Sequence, residues 1–222
     1  FQSTYKLARG MASDILKYGD FMSVFRAPWM RLHSHKKLPE KDPLNTFEWI
    51  MDQSDRHSLI SSFNFISGKT HSETDADYEI DHPAIRYLMR RFHERGHEIG
   101  LHPSYNTYQD PNIIAAEAKK LRSICTEEGI EQKEWGGRMH VLRWEHPTTL
   151  YGWENAGMTY DSTMGYADHS GFRCGTCFEY PAFDPVADRQ LNLRIRPLVA
   201  MEVTVISKRY MNLGFEQKAY NK

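Results

Sequence analysis

From Thr46 onward, helical and strand patterns alternate along the chain. Helices are predicted near residues 46–57, 81–96, 113–129 and 147–156, and strands near residues 59–66, 97–101, 135–142 and 158–160. The second of these helices has Ile85, Leu88, Met89 and Phe92 at the i, i+3, i+4, i+7 spacing of one apolar face. Such alternation predicts an α/β fold, in which crossover helices connect the strands of a parallel sheet.

The two ends of the chain are less regular than its middle. We expect a helix near Tyr5–Lys17, then an irregular excursion that runs through the aromatic-rich segment Phe21–Met30 to Asp42. The stretch Leu191–Ile206 is rich in β-formers and predicts one or two strands. No internal repeat or linker is visible, and 222 residues suit one domain spanning residues 1–222, with residues 1–45 as its irregular part.

Composition excludes several classes of function. The 28 Lys and Arg nearly balance the 29 Asp and Glu, so the basic excess of a nucleic-acid-binding domain is absent. No apolar run approaches the ~18 residues of a membrane-spanning helix. No signal-peptide pattern is visible in a chain that starts at Phe1 rather than Met, and a cytoplasmic location is expected.

Three cysteines are too few for a disulfide framework or a four-cysteine zinc site. Cys174 and Cys177 form a C-x-x-C pair flanked by Gly171, Gly175 and Pro181, which favours a loop. We interpret the pair as two reduced thiols, and a redox or metal-binding role is the alternative.

Polar side chains follow three successive predicted strands. In strand order they are His102 and Asn106, then Arg138, His140 and Arg143, and then Asp161 and Ser162. The carboxyl ends of parallel strands share one edge of the sheet, so these side chains are expected to converge. Histidine and aspartate bind metals and transfer protons, and arginine stabilises negative charge. Each residue alone is more often structural, and this pattern does not name a reaction.

Four segments resemble the polysaccharide deacetylase superfamily, the NodB-homology group or carbohydrate esterase family 4. The segment Arg95–His102, which reads Arg-Gly-His-Glu-Ile-Gly-Leu-His, resembles the second motif of that superfamily. The segments Arg138–Arg143, Ala156–Thr163 and Gly171–Cys177 resemble the branch found in bacterial O-antigen and other surface-polysaccharide gene clusters. The likeness extends over roughly residues 43 to 206.

This resemblance implies a distorted, incomplete (β/α) barrel. It also implies metal-dependent hydrolysis of an N-acetyl group on an amino sugar, with an N-acetylated sugar, nucleotide sugar or polysaccharide as substrate. In the family, an Asp and two His residues hold a divalent metal, usually zinc, which polarises the acetyl carbonyl and activates water.

The chain departs from the family pattern in its metal ligands. The second motif of the family ends in two histidines four residues apart, and here the position four residues after His102 is Asn106. We therefore expect the metal ligands to include His102 and, from the next strand end, His140. His97 and His102 differ by five positions, an odd number, so His97 is expected on the opposite face of the strand.

The first and last motifs of the family have no counterpart in this sequence. No Asp follows a predicted apolar strand near the start, and no His occurs after His169. We expect that aspartate to lie before Phe1 and that histidine beyond Lys222; the alternative is that both groups have been lost.

The resemblance gives roles to the remaining residues. Arg138 is expected to orient a catalytic carboxylate or the substrate, and Asp161 to pair with an arginine or contact sugar hydroxyls. The expected substrate-binding residues are Asn106, Tyr105, Arg143, Trp144 and Arg173, of which Arg173 would bind an anionic group. Two other functions stay open: a non-catalytic carbohydrate-binding relic of the same fold, and a metal-dependent amidohydrolase acting on a small non-sugar amide.

Overall fold

The computed structural model describes residues 21–33 and 45–214, together with the isolated positions 8, 11, 12, 15, 16, 19, 37, 38 and 42. Its helices are α1 (Ser23–His33), α2 (Phe47–Arg56), α3 (Pro83–Glu94), α4 (Pro111–Glu127), α5 (Thr148–Asn155) and α6 (Glu202–Ile206). Its strands are β1 (Ser62–Phe65), β2 (Glu98–Leu101), β3 (Gly136–Gly137), β4 (Tyr160–Asp161), β5 (Tyr180–Asp184) and β6 (Arg189–Ile195). Most of the helix expected near Tyr5–Lys17 lies outside the described residues.

The six strands form one sheet in the order β1-β2-β3-β4-β6-β5. Neighbours from β2 to β6 pair in parallel, and β5 pairs antiparallel with β6. Along β1 and β2, Glu98 N–H donates to the Ser61 carbonyl and His102 N–H to the Phe65 carbonyl, the constant offset of parallel strands. The predicted α/β class with a mostly parallel sheet is confirmed.

The chain divides into two compact units, each described here by itself. The first comprises residues 1–63, 75–99 and 121–131, and the second comprises residues 64–74, 100–120 and 132–222.

The first unit is organised around Phe92 of α3, which is fully buried. The Phe92 ring stacks on Phe63 with centroids 3.7 Å apart and contacts Phe47 of α2 at 5.6 Å. The apolar stripe predicted for α3 is buried as expected, because that face covers the aromatic cluster. His97 is also buried in this unit and accepts a 3.4 Å hydrogen bond from Ser61 N–H through Nδ1.

In the second unit, helices α4 and α5 pack closely. The Cβ of any residue larger than glycine at Gly152 would overlap the Ile114 side chain, so the small residue sets the helix separation. Trp153 is fully buried, as predicted for α5, and Leu191 and Leu193 of β6 are buried in the same unit.

Glycines at β3 allow its neighbouring strands to approach closely. A Cβ on Gly137 would overlap the carbonyl oxygen of Leu101, its register partner on β2. A Cβ on Gly136 would overlap the ring of Tyr160, its partner on β4. The two-residue strand therefore depends on the absence of side chains.

We expect Gly137→Ala to destabilise the protein by about 1–3 kcal/mol, the usual cost of forcing extra volume into a packed interior. Chemical denaturation of the variant measures this cost directly. Lys120→Ala, on the exposed surface of α4, is the reference and should change the free energy of unfolding by less than about 0.5 kcal/mol. Equal midpoints for the two variants would show that β3 can move away from Leu101.

The structure corrects two predictions near the start of the described chain. Phe21–Met30 was expected to be irregular, but α1 covers Ser23–His33 with Pro28 inside it. The helix contains no glycine, and one proline removes only one intrahelical hydrogen bond. The strand expected from Leu59 starts only at Ser62, because Leu59 N–H is bonded to the Ser54 carbonyl at the end of α2.

Three further boundaries differ from the sequence prediction. The cap of α3 is His82, whose Nδ1 accepts from Ala84 N–H, rather than Asp81. The strand expected over Trp135–Leu142 is only Gly136–Gly137. The segment Leu191–Ile206 contains the end of β6 and then the helix α6, in which Thr204 Oγ1 donates to the Ala167 carbonyl. The helix forms here although the residue types favour a strand.

Among the described residues, no helix combines the length and apolar character needed to cross a membrane.

Candidate active site

Four strands of the second unit end at the same level of the sheet. The register aligns Leu101, Gly137, Asp161 and Ile195 on β2, β3, β4 and β6. His102 and Arg138 are the next residues after two of these ends, and Asp161 is itself the last residue of β4. The sheet therefore brings the predicted residues to one edge because their strands are in register.

His102 and His140 lie side by side at this edge, with ring centroids 4.9 Å apart. The Nδ1 atom of His102 lies 2.6 Å from the carbonyl oxygen of Arg138. A carbonyl can only accept, so Nδ1 carries the proton and Nε2 carries the lone pair. A histidine that ligates a metal is typically oriented in this way, by a backbone carbonyl on its other nitrogen.

The backbone after His140 is strained. His140–Leu142 form a 3₁₀ turn in which Val141 and Leu142 have φ angles of 56° and 54°. Left-handed conformations of this kind cost about 1–3 kcal/mol each in non-glycine residues and cluster at functional sites. The alternation of helices and strands did not predict this turn.

Asp161 is a fully buried carboxyl group beside Arg138 and Trp144. Its Oδ1 accepts from the backbone N–H of Thr163 at 2.9 Å and from the Thr163 hydroxyl. Burial raises the pKa of Asp161 to about 6, and the Thr163 hydrogen bonds, the Trp144 indole and the Arg138 charge only partly oppose that rise. Among the described residues, neither Asp161 Oδ2 nor Trp144 Nε1 has a well-formed hydrogen bond.

Arg138 lies half-buried beside this carboxyl. Its Nε donates to the carbonyl oxygen of Ser162 at 3.0 Å. Burial lowers the pKa of Arg138 from its ordinary value, and the charge of Asp161 opposes that change. The predicted pairing of Asp161 with an arginine thus corresponds to an electrostatic interaction with Arg138.

Tyr105, Asn106, Tyr108 and Arg143 form one cluster, which we call the tyrosine–arginine cluster. The Arg143 guanidinium lies over the rings of Tyr105 and Tyr108, with its Cζ 4.1 and 4.0 Å from their centroids. Its Nη1 donates to the carbonyl oxygen of Tyr105 at 2.9 Å and to Asn106 Oδ1 at 3.0 Å. The rings of Tyr105 and His140 are nearly perpendicular, with centroids 6.0 Å apart, so the cluster adjoins the histidine pair.

A buried carboxylate supports this cluster and was missed by the sequence analysis. Glu117 of α4 accepts from Ser104 N–H at 2.9 Å and from the Ser104 hydroxyl at 2.5 Å. The Thr70 hydroxyl donates to Ser104 Oγ at 2.9 Å and accepts from Asn106 N–H at 2.9 Å. Glu117 follows Ile114 by three residues and therefore lies on the same buried face of α4. This spacing is the sequence signal from which the burial of Glu117 could have been predicted.

Trp144 and Arg173 make contacts within the protein, and their binding to substrate stays a prediction. The Trp144 ring packs against His146 with centroids 5.6 Å apart, in addition to its position near Asp161. Arg173 is exposed and donates to the carbonyl oxygen of Gly165 at 3.0 Å. Cys174 and Cys177 are free thiols in the same loop, and Cys174 contacts the Met164 carbonyl.

Within the described parts of the chain, no group of three or more His, Cys, Asp or Glu side chains is placed to hold a metal ion. His102 and His140 supply two imidazole donors, so zinc binding stays a prediction. Comparison of the chain with family models, with curated proteins and with solved structures finds no match.

Proposed function

We propose that this protein is a metal-dependent carbohydrate N-deacetylase of the polysaccharide deacetylase type, acting in bacterial surface-polysaccharide (O-antigen) biosynthesis. Its substrate is an N-acetylated amino sugar, free, nucleotide-linked or within a polysaccharide. The observation that carries the proposal is the pair of imidazoles at adjacent strand ends, with His102 oriented by the Arg138 carbonyl.

The strand order supports the finer fold assignment. Strands β1 to β4 neighbour one another in chain order, as the strands of a (β/α) barrel do. The antiparallel pair β5–β6 at the other end interrupts that progression. We propose the distorted, incomplete barrel of the NodB type on this basis together with the sequence motifs.

His102 and His140, at this edge of the sheet, suit a divalent zinc ion. Nε2 of His102 has its lone pair directed away from the backbone carbonyl that binds Nδ1, and His140 is the second donor. Zinc in such a site would polarise the acetyl carbonyl and lower the pKa of water.

The chain's own residues supply proton transfer and charge stabilisation. A carboxyl with a pKa of about 6 can hold and release a proton near neutral pH, which is the property of a general acid or base. The Arg138 guanidinium beside it stabilises the ionised form of Asp161. Tyr105 and Trp144 provide aromatic walls against which a sugar ring can stack.

Carbohydrate binding without catalysis is the second candidate, and Asn106 favours it. The family's second histidine is replaced here by an asparagine whose side chain donates to the Thr70 carbonyl and accepts from Arg143. Both polar ends of the Asn106 side chain are therefore engaged in structure.

Acetate release from N-acetylglucosamine oligosaccharides separates these functions. The full-length protein should release acetate, lose that activity after chelation and regain it when zinc is restored. Oligosaccharide binding without acetate release would support the binding function. Hydrolysis confined to small non-sugar amides would contradict the carbohydrate assignment.

A further inference from the structure

We propose that Arg143 recognises an anionic group, a carboxylate or a phosphate, on the amino sugar bound beside His140. The identity of the sugar rests on the proposed function. The presence of an anionic group on it is inferred from the geometry of Arg143.

The guanidinium of Arg143 is held in one plane with part of its donor set unused. The Arg143 guanidinium packs against the rings of both Tyr105 and Tyr108, and Nη1 donates two hydrogen bonds within the protein. A guanidinium carries five N–H donors. Across the described residues, Nε and Nη2 of Arg143 make no hydrogen bond, so three donors remain for a ligand, and two of them, Nε–H and one N–H of Nη2, lie along one edge.

The charge of Arg143 lacks a carboxylate partner among the described residues. Other arginines of the same unit show the contrast: Arg194 binds both Glu134 and Glu179, and Arg189 binds Glu154. A half-buried cation without a counter-ion is unfavourable, and an anionic ligand would remove that cost. The parallel N–H groups of a guanidinium match the oxygens of a carboxylate or phosphate.

Arg143 lies next to the proposed site. Tyr105, which stacks on Arg143, also contacts His140. The hydrogen bonds from Glu117 through Ser104 and Thr70 to Asn106 hold the loop that carries Arg143's acceptors. Because the guanidinium is already oriented, little conformational entropy is lost when the anion binds.

Calorimetric titration with three matched ligands tests the inference: N-acetylglucosamine, N-acetylglucosaminuronic acid and N-acetylglucosamine 1-phosphate. Wild-type protein should bind one or both acidic sugars at least about tenfold more tightly than the neutral sugar, as expected for charge-assisted hydrogen bonds. The acidic sugar that is preferred identifies carboxylate or phosphate as the source of the anion.

Two substitutions of Arg143 and one control locate the effect. Arg143→Gln should lose the preference for acidic sugars, and Arg143→Lys should keep only part of it. Arg209→Gln should keep all of it, since Arg209 is an exposed arginine that lies over a tyrosine ring, Tyr210, outside the cluster. Added salt should weaken wild-type binding of the acidic sugars selectively, a readout that does not depend on how a variant folds.

Equal wild-type affinity for all three sugars, or an unchanged preference in Arg143→Gln, would overturn the inference. Acetate release from the same three sugars is measured in parallel. A preference for acidic sugars without acetate release from any of them would support the anion site and contradict the proposed catalytic function.

Discussion

Replacement of His102 by alanine is expected to lower kcat/KM for acetate release by at least about 100-fold and to weaken metal binding. Changes to residues that merely orient a metal ligand already cost about 10–100-fold, so loss of the ligand itself should cost at least as much. His102 is held by the Arg138 carbonyl, and its ring packs beside that of His140. Steady-state kinetics and metal titration of the purified variant measure both effects.

His57→Ala is the matched control for this substitution. His57 is an exposed histidine that follows α2, and its removal should leave kcat/KM and metal affinity unchanged. If His102→Ala instead keeps wild-type activity and metal affinity, the assignment of His102 as a ligand is wrong.

Asp161→Asn is expected to reduce activity by about 10²–10⁴-fold, the usual contribution of a positioned acid or base, and yet to stabilise the protein at neutral pH. The pKa of Asp161 is about 6 in the folded protein, against an ordinary value of 3.8. The folded state therefore binds this proton more tightly than the unfolded state does. Stability falls as the pH rises from about 4 to about 6, and the loss persists above pH 6.

The size of this effect follows from the two pKa values. Moving the pKa from 3.8 to about 6 corresponds to about 3 kcal/mol of lost stability at pH 7.5. Asparagine carries no charge, so the variant should gain up to that amount relative to wild type at pH 7.5 and gain little at pH 4. Urea unfolding of both proteins at the two pH values measures the difference.

Asp184→Asn is a control that should change the free energy of unfolding at neutral pH in the opposite direction. A hydrogen bond from the Tyr151 hydroxyl lowers the pKa of Asp184, so its stabilising contribution is present above pH 4 and lost as the pH falls through the folded pKa. That variant should be less stable than wild type at pH 7.5. If Asp161→Asn and wild type instead show parallel pH-stability curves, Asp161 does not titrate in this range.

Helix α3 and the end of strand β2 could be predicted because their signals are local. The apolar stripe of α3 is encoded within a few residues, and its members are buried in the structure. The position of His102 at a strand end follows from the four-residue strand β2 that precedes it. Parallel pairing then brings His102 and His140 together without further information.

The arrangement around these residues could not be predicted, because it depends on contacts distant in sequence. Val141 and Leu142 adopt left-handed conformations that neither residue type favours, so no local signal marks the turn after His140. Arg143 is oriented by Tyr105 and Tyr108 from another strand end. Glutamate is usually a surface residue, and only the position of Glu117 on its helix indicates that it is buried.

The zinc content of the full-length protein tests the central claim most directly. Wild-type protein and the double variant His102→Ala/His140→Ala are dialysed against the same zinc buffer, and metal is then measured by mass spectrometry. We predict about one zinc ion per wild-type chain and none in the folded double variant, as judged by circular dichroism. Equal zinc content in the two proteins, or a wild-type protein without zinc, would contradict a metal centre built on this histidine pair.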